Sequence, residues 1–302
     1  MKIAINRKPK NHAWGGGNMF VHAFCEAMRL HGHEVVHNLD DDLDLIFMQD
    51  PRYDDLRISA NEIKAYKRKN PSVVVFHRVN ECDARKGTTG VDEMLQACSS
   101  FTDHTVFVSN WMKDYHLSKA WYCKNTHVLY NGVNLEHFKR QHKINNSKIN
   151  IVTHHWSNNR MKGFDIYEKL DEFVGTHKDD FTFTYIGREL GTFKNTTVVP
   201  PLFGKELGNE LGKYDVYVSA SRFDPGPNHI IESLACELPT FCHIDGGGAV
   251  EFCSGMNVFS NFEELISSLK SKNYQLNDTT KLSNWKECMS NLNKMMVNSV
   301  EK

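Results

Sequence analysis

Two carboxylates flank a tight turn in the stretch SRFDPGPNHIIESLACELP, which begins at Ser221. Asp224 stands directly before Pro225-Gly226-Pro227, and Glu232 lies on the first turn of the helix that is predicted to follow. Asn228 is predicted to cap this helix. Both acids can accept hydrogen bonds from ligand hydroxyls; the alternative for Glu232 is that it only complements the helix dipole. The pattern therefore predicts a ligand-binding site at this turn, with Asp224 and Glu232 as hydrogen-bond acceptors.

Lysine and glycine stand at the ends of two other predicted strands. Lys162-Gly163, in THHWSNNRMKGFDIYEKL, marks the expected start of a helix, where an ammonium can bind a phosphate; an ordinary solvated lysine is the alternative. Trp14-Gly15-Gly16-Gly17-Asn18 opens the first helix, where glycines let the backbone approach an anion; a tight turn is the alternative. The spacing differs from Gly-x-Gly-x-x-Gly, so the pattern for a dinucleotide is incomplete.

Histidines form a third set of candidates. His77 is predicted to end the strand in VVVFHRVNECDARKGTTG, and the polar residues after it indicate either a catalytic role or a hydrogen-bonded loop. His154 and His155 are neighbours on a predicted strand and should point to opposite faces, so they cannot easily chelate one metal. The sequence has no His-Glu-x-x-His, cysteine cluster or Gly-x-Ser-x-Gly, and we predict no metal site.

Composition limits the class of protein. The 302 residues carry a formal net charge of −1, which gives no reason to expect nucleic acid as a partner. No apolar run reaches membrane-spanning length, the first residues lack the apolar core of a signal peptide, and the eight cysteines are scattered. These features predict a cytoplasmic protein with free thiols. The basic stretch 61–70 is either a solvated helix face or a weak peripheral contact with anionic lipid.

Short apolar runs alternate with helical patterns in both halves of the chain. This alternation predicts an α/β protein of two Rossmann-like domains, with parallel sheets facing across a cleft. We place the domains at residues 1–138 and 139–284, with a polar linker over 139–148 and a C-terminal helix over 285–302 that could pack back on the first domain. The predicted strands are residues 2–6, 34–39, 43–49, 73–77, 105–109, 128–130, 149–156, 181–187, 196–202, 216–220, 240–244 and 257–259.

The ordered set of motifs resembles family 4 glycosyltransferases of the GT-B fold. LYNGVNLEHF, residues 129–138, looks like the segment that ends their N-terminal domain, and GGGNMFVHAFCEAMRLHGHEV looks like their opening glycine loop and helix. RMKGFDIYEKL resembles their lysine–glycine motif. DPGPNHIIESLACELPTFCHIDGGGAVEF resembles their pair of acids, small-residue helix, strand and glycine loop. The resemblance covers nearly the whole chain.

The resemblance implies a retaining transferase that takes a sugar from a nucleotide-diphosphate sugar and needs neither metal nor cofactor. The donor would bind mostly on the C-terminal domain, and a hydroxyl acceptor (a glycan, lipid or small molecule) mostly on the N-terminal domain. Asp224 would contact the sugar hydroxyls, Glu232 the ribose, and Lys162 the diphosphate. The other donor-binding residues would be Gly16, Gly17, Arg160, Leu202, Gly226, Pro227 and Asn228, and the predicted catalytic residues are Lys162, Asp224 and His77.

Three departures from the family pattern leave other functions open. The first acid is usually glutamate but is Asp224 here, and an arginine common six residues before the lysine is replaced by Trp156. Arg160 or Arg188 could substitute for it, and the sequence does not decide between them. The N-terminal half is also short for the family. A nucleotide-sugar epimerase of the same fold and a non-catalytic nucleotide-sugar binding protein remain as alternatives.

Overall fold

The chain forms two compact units in the computed structural model, which describes residues 1–10, 16–52, 58–253 and 255–301. One unit comprises residues 1–132 and 283–302, and the other comprises residues 133–282. The sequence predicts this boundary at residue 138. The segment 133–138 instead belongs to the second unit, where the His137 carbonyl lies against Gly208. Residues 11–15, which include Trp14 and Gly15 of the glycine loop, lie outside the described residues.

The first unit is built on a parallel sheet of six strands. They are β1 (Lys2–Ile5), β2 (Glu34–Val36), β3 (Leu45–Met48), β4 (Val74–Val79), β5 (His104–Phe107) and β6 (Thr126–Val128). Their order is β2-β1-β3-β4-β5-β6, so the direction of winding changes between β1 and β3. Most of the strand residues are buried, and most of the buried ones are apolar, as expected for a sheet that is covered on both faces.

Helices cover this sheet, and one of them comes from the end of the chain. The helices are α1 (Gly16–Leu30), α2 (Ala60–Lys69), α3 (Val91–Ala97), α4 (Asn110–Leu117) and α9 (Trp285–Val300). Helix α9 packs against α1, and its buried side chains join Phe20 and Phe24 in one apolar cluster. These side chains are Cys288, Met289, Leu292 and Met296. The last helix is therefore part of the first unit's core.

The second unit has a parallel sheet of the same size. Its strands are β7 (Ile149–His155), β8 (Phe181–Gly187), β9 (Thr197–Val199), β10 (Val216–Ser219), β11 (Thr240–His243) and β12 (Val258–Phe259). Its helices are α5 (Phe164–Thr176), α6 (Gly204–Leu211), α7 (Asn228–Ala235) and α8 (Phe262–Ser271). The strand order, β12-β11-β10-β7-β8-β9, reverses between β7 and β10. Ligands of such sheets bind outside the carboxyl ends of the strands at this switch point.

The sequence predicted the strands well and some of their ends poorly. Each of the twelve strands in the described part of the chain overlaps a predicted run, which confirms the α/β class with parallel sheets. The largest differences are at β9, which is shorter than predicted, and at β6, which overlaps its predicted run only at Val128. Strand β2 is also shorter than predicted, and β4 continues to Val79.

The longer β4 changes the position of His77. His77 lies within the strand and not at its end. Its side chain is completely buried, and the centre of its ring lies 6.3 Å from the centre of the Trp121 ring. Neither ring nitrogen has a hydrogen-bond partner among the described residues. Burial lowers the pKa of His77 to about 3 from its ordinary value of 6.5. The expectation that His77 ends a strand was wrong, and its ring packs in the interior.

We predict that His77 makes the first unit sensitive to acid. The unfolded chain takes up a proton at His77 below pH 6.5, whereas the folded chain does so only near pH 3, so stability falls as the pH drops between these values. At pH 5 the loss should be about 2 kcal/mol. His77→Phe should remove this part of the pH dependence, as measured by urea unfolding at pH 7 and pH 5.

The exposed His31 provides the matched control. His31→Phe should keep the wild-type difference in the free energy of unfolding between the two pH values. An equal loss on acidification in wild type and His77→Phe contradicts the prediction.

Candidate functional site

A buried ion pair joins the two loops that leave the switch point of the second sheet. The Lys162 ammonium follows β7 and lies 2.6 Å from an Asp224 carboxylate oxygen in the loop after β10. The two side chains are 14% and 6% exposed. Each charge needs the other, because an unpaired charge in such a place is strongly destabilised. Lys162 also reaches the Ser221 hydroxyl at 3.5 Å, so two of its three N–H donors are used within the protein.

Gly163 allows the Lys162 loop to approach β10. Its φ is +91°, and a Cβ at this position would lie 2.3 Å from the carbonyl oxygen of Ala220. Only glycine fits both the left-handed conformation and this close contact. The Asn159 side chain accepts a hydrogen bond from Met161 N–H, and the Met161 carbonyl accepts one from Arg222 N–H. The turn that carries Lys162 is thus fixed against the loop that carries Asp224.

The backbone of Asp224 is held from its other side by the loop after β11. Gly248 N–H donates to the Asp224 carbonyl at 2.8 Å, and Asp224 and Gly247 form an isolated parallel bridge. Phe223, the preceding residue, has a φ of +51°, which is unusual for a bulky side chain. Its N–H donates to the Asp245 carbonyl at 2.7 Å. Such strain persists where the surroundings fix the backbone, and it is common at binding sites.

Glu232 is held by a second buried contact across the same switch point. Nε2 of His154, near the end of β7, donates to Glu232 Oε2 at 2.8 Å. The Tyr217 hydroxyl lies 3.1 Å from Nδ1 of His154 and accepts the His154 backbone N–H at 3.2 Å. Both Glu232 and His154 have side chains that are about one-tenth exposed. The contact orients one carboxylate oxygen, so the carboxylate is positioned before any ligand binds.

Two more histidines lie beneath these residues. His155 points away from Glu232, and its Nε2 lies 2.8 Å from the Tyr167 hydroxyl of α5. Burial, and next the charges of His229 and Lys162, lower the pKa of His155 well below its ordinary value. His155 is therefore neutral at pH 7. His229 of α7 contacts the Ser219 hydroxyl at 2.7 Å, which completes a polar layer at the end of the sheet.

The turn before α7 lies where the sequence predicts it, but the residue at the N-cap position of the helix is Pro227 and not Asn228. Helix α7 begins at Asn228 itself, and the residue before it, Pro227, provides no side-chain cap hydrogen bond. The prediction that Asn228 caps the helix was wrong, because the Pro-Gly-Pro turn delivers the chain into the helix one residue earlier. Gly226 and Asn228 are partly exposed, whereas Pro227 is buried. These residues remain close in sequence to Asp224, at the carboxyl end of the sheet.

Two other predicted donor-binding residues lie at the same edge of the sheet. Arg160 is exposed in the short turn Arg160–Lys162, and Leu202 is partly exposed between β9 and α6. Beside them, the Arg188 guanidinium carbon lies 4.0 Å from the centre of the Trp156 ring. The candidate residues of this unit therefore follow β7, β8, β9 and β10, which are neighbours in the sheet.

The glycines predicted for the first unit lie at the switch point of its own sheet. Gly16 and Gly17 are the first residues of α1, where backbone N–H groups have no partner within the helix. The Gln49 side chain, after β3, donates to the Gly17 carbonyl at 2.8 Å. His77 does not join them in this role because its ring is buried. The neighbouring Arg78 is buried as well, 4.0 Å from the centre of the Phe20 ring.

The described ranges contain neither a metal-binding cluster nor a membrane-spanning helix. No three or more His, Cys, Asp or Glu side chains there are grouped so that they could hold a metal ion. No helix in these ranges is both long and apolar enough to cross a bilayer. Within the basic stretch, α2 buries Ile63 and Tyr66 against the sheet, and Lys67 pairs with Asp103 at 2.9 Å. The weak lipid contact considered for this stretch stays a prediction.

Sequence reasoning missed the roles of two residues. His154 was considered as a metal ligand, but it is the hydrogen-bond partner of Glu232. Tyr217 was considered as a residue of an apolar strand, but its hydroxyl completes the same contact. The sequence offered one indication, a histidine near the end of a buried parallel strand. Polar groups there lie at the carboxyl ends of the strands, the edge of the sheet where ligands bind (the ligand edge). The partner of this histidine, 78 residues away, could not be identified from spacing.

The comparisons with known proteins establish the fold. No protein-family model and no curated protein matches the sequence. Sucrose-phosphate synthase from Thermosynechococcus elongatus matches with a TM-score of 0.69, 13% identity and coverage of 98% of both chains. HepE from Anabaena, in complex with UDP-glucose, matches with a TM-score of 0.68, 13% identity and coverage of 99% of both chains. The pneumococcal O-GlcNAc transferase GtfA, in complex with UDP and GlcNAc, matches with a TM-score of 0.59 and 12% identity, over 97% of this chain and 62% of that one.

These similarities confirm the predicted fold class. The chain has two Rossmann-like α/β units with parallel sheets, as GT-B glycosyltransferase structures have. At 13% identity the likeness concerns the fold, and the reaction has to be argued from the residues of the site.

We predict that Gly163→Ala disrupts the lysine loop. The new methyl would meet the Ala220 carbonyl and would also occupy a left-handed backbone position. The free energy of unfolding should fall by about 3–5 kcal/mol. Gly191 is the matched control, because its φ is +79° but a Cβ there would meet nothing within 4 Å. Gly191→Ala should cost about 1–2 kcal/mol in urea unfolding. Equal costs for the two variants contradict the proposed close contact.

We predict that His154 and Glu232 are energetically coupled. His154→Leu should lower the free energy of unfolding by about 1–3 kcal/mol, because it leaves a buried carboxylate without its donor. The double variant His154→Leu/Glu232→Met should lose less than the sum of the two single variants. His142→Leu, at an exposed histidine of the same unit, should change stability by less than about 0.5 kcal/mol. Additive losses at His154 and Glu232 in urea unfolding contradict the coupling.

Proposed function

We propose that this protein is a glycosyltransferase that moves a sugar from a nucleotide-diphosphate sugar to an acceptor hydroxyl with retention of anomeric configuration. The observation that carries this proposal is the buried Lys162–Asp224 pair at the switch point of a Rossmann-like sheet, beside Glu232. A cation and two oriented acids at this point match the chemistry of a diphosphate linked to two polyhydroxyl groups. The resemblance of the same motifs to family 4 glycosyltransferases supports the assignment.

Lys162 acts on the leaving group. The bond between the sugar's anomeric carbon and the phosphate oxygen breaks, and negative charge develops on the nucleoside diphosphate. A preorganised ammonium in a partly buried place stabilises this charge more strongly than water does. The acceptor oxygen forms the new bond to the same carbon from the same face, and its proton passes to the departing phosphate oxygen. No protein nucleophile is required.

The two acids divide the recognition of the donor. Asp224 accepts hydrogen bonds from the transferred sugar and holds Lys162 in place. Glu232 accepts hydrogen bonds from the ribose, and His154 keeps its carboxylate in position. We assign His77 to packing instead of catalysis, because its ring is buried in the first unit. The contacts predicted for Gly16, Gly17, Arg160, Leu202, Gly226, Pro227 and Asn228 remain predictions.

The ligands of similar structures favour a uridine nucleotide as the first donor to test. HepE was solved with UDP-glucose and with UDP, and GtfA with UDP and GlcNAc. We further propose that the reaction needs no metal, because Lys162 supplies positive charge at the diphosphate. A cytoplasmic location is part of the same proposal, in agreement with eight cysteines that are all free.

The decisive experiment is nucleotide release from a panel of UDP-, GDP- and ADP-sugars, with a chelator present and with or without sugar, glycerol and glycolipid acceptors. We predict release that depends on the acceptor. Asp224→Asn should lower the rate ten- to a hundredfold, because a charged hydrogen bond to the sugar is lost. Its affinity for free UDP should stay the same or rise, since the variant removes a negative charge beside Lys162.

Other results identify the alternatives. Isomerisation of the donor without an acceptor indicates an epimerase, and tight donor binding without turnover indicates a binding protein. Either result overturns the proposed transfer. Activity that a chelator abolishes contradicts metal independence alone.

A further inference from the structure

Trp156 lies between a cation and a second aromatic ring at the ligand edge of the second sheet. The Arg188 guanidinium carbon is 4.0 Å from the centre of its ring, and the Phe203 ring centre lies 5.1 Å away at an angle of 60°. Trp156 follows β7, Arg188 follows β8, and Phe203 precedes α6. The contact therefore ties three loops together at the carboxyl ends of neighbouring strands.

The backbone of Arg188 is fixed as well. Its N–H donates to the His155 carbonyl at 3.3 Å, and its carbonyl accepts the Tyr185 hydroxyl at 3.1 Å. The Arg188 side chain is thus fixed at both of its ends: the backbone is held by hydrogen bonds, and the guanidinium stacks on Trp156. Little conformational entropy remains to be lost when this side chain binds a ligand.

The Arg188 guanidinium also has no carboxylate partner among the described residues. The contrast is Arg222, which forms two parallel hydrogen bonds of 2.8 Å with Asp165. The acid next to Arg188 in sequence, Glu189, instead accepts the Gly191 N–H. Stacking on a ring uses the face of a guanidinium and leaves the N–H donors at its edge available. A planar fork of this kind is suited to phosphate oxygens.

We propose that Arg188, held by Trp156, binds the diphosphate of the nucleotide-sugar donor together with Lys162. This inference rests on the proposed function and names the second cation of its donor site. The two strands that precede Lys162 and Arg188, β7 and β8, pair directly up to His155 and Gly187. Trp156 has the role of a positioning residue. Trp156 stands after β7 where the resembled family commonly has an arginine, and its ring holds the arginine that follows β8.

Arg160 is the competing candidate, and the structure distinguishes it from Arg188. Both arginine side chains are exposed, but Arg188 stacks on Trp156, whereas no contact with a described residue orders the Arg160 side chain. Ordering such a side chain on binding costs rotamer entropy. The preorganised arginine is Arg188.

The experiment measures the affinities of UDP, GDP and ADP, and of the matching nucleoside, by calorimetry on the full chain. Arg188→Gln should weaken binding of the diphosphate about ten- to a hundredfold and change binding of the nucleoside less than about twofold. Arg188→Lys should recover part of the loss, because the charge remains but the fork is absent. Trp156→Leu should weaken the diphosphate about three- to tenfold, and Trp156→Phe should stay within about threefold of wild type.

Lys270 offers a matched control. Its ammonium lies 5.2 Å from the centre of the Phe173 ring, near the end of α5 that is remote from the ligand edge. Lys270→Gln removes the same charge from the same unit and should change diphosphate affinity less than about twofold. Thermal unfolding midpoints close to wild type for all variants show that binding, and not folding, has changed.

The outcomes separate this inference from the proposed function. If the wild type binds none of the three diphosphates, the proposed function fails and the inference fails with it. If the wild type binds but Arg188→Gln binds equally well, or weakens the nucleoside as much as the diphosphate, only the inference fails. A larger loss in Arg160→Gln than in Arg188→Gln overturns the choice of Arg188.

Discussion

One buried ion pair, Lys162–Asp224, determines how the loops at the carboxyl ends of β7 and β10 are arranged, because both charges are largely removed from water. Lys162 and Asp224 lie at the ends of strands that are adjacent in the sheet but 62 residues apart in sequence. Each side chain is mostly buried, so removing either charge would leave the other unpaired and lower the stability of the folded chain. Gly163 lets the first loop approach, and Gly248 N–H holds the backbone of Asp224. These contacts fix the two loops to each other, and the Asp224 carboxylate holds the Lys162 ammonium in place.

The same constraint explains the polar layer beneath the pair. A buried positive charge disfavours a second positive charge nearby, and burial together with His229 and Lys162 keeps His155 neutral. A neutral imidazole can still exchange a hydrogen bond with Tyr167, so the polar atoms are satisfied without a further charge. His154 turns the other way and bonds Glu232. One pair of neighbouring histidines thus supports both the helix that follows the lysine and the acid on α7.

The strands could be predicted because apolar runs report burial directly, whereas contacts between distant residues could not. The runs located the twelve strands of the described residues, but they failed at the end of β4, where the sequence predicts that the strand ends at His77 and that a polar loop begins at Arg78. Both are buried because the strand continues to Val79 and aromatic rings lie beside them. Lys162, Asp224 and Glu232 were identified from motifs. Their buried partners could not be identified, and neither could the stacking of Arg188 on Trp156. These contacts join residues that are distant in sequence, so the spacing of residues along the chain does not reveal them.

Two of the three departures from the pattern of the family that the motifs resemble, Asp224 and Trp156, lie in this unit and have a common physical explanation. A shorter acid at position 224 still reaches Lys162 at 2.6 Å, because the backbone on either side of it is fixed by hydrogen bonds to the loop after β11. Trp156 takes away a charge from the end of β7, yet its ring faces a guanidinium from the end of β8. Adjacent parallel strands end at the same edge, so a cation can move from one strand to the next and still face the same ligand. In each case a contact with a neighbouring loop fixes the position of the side chain, and a motif read along one strand does not contain that contact.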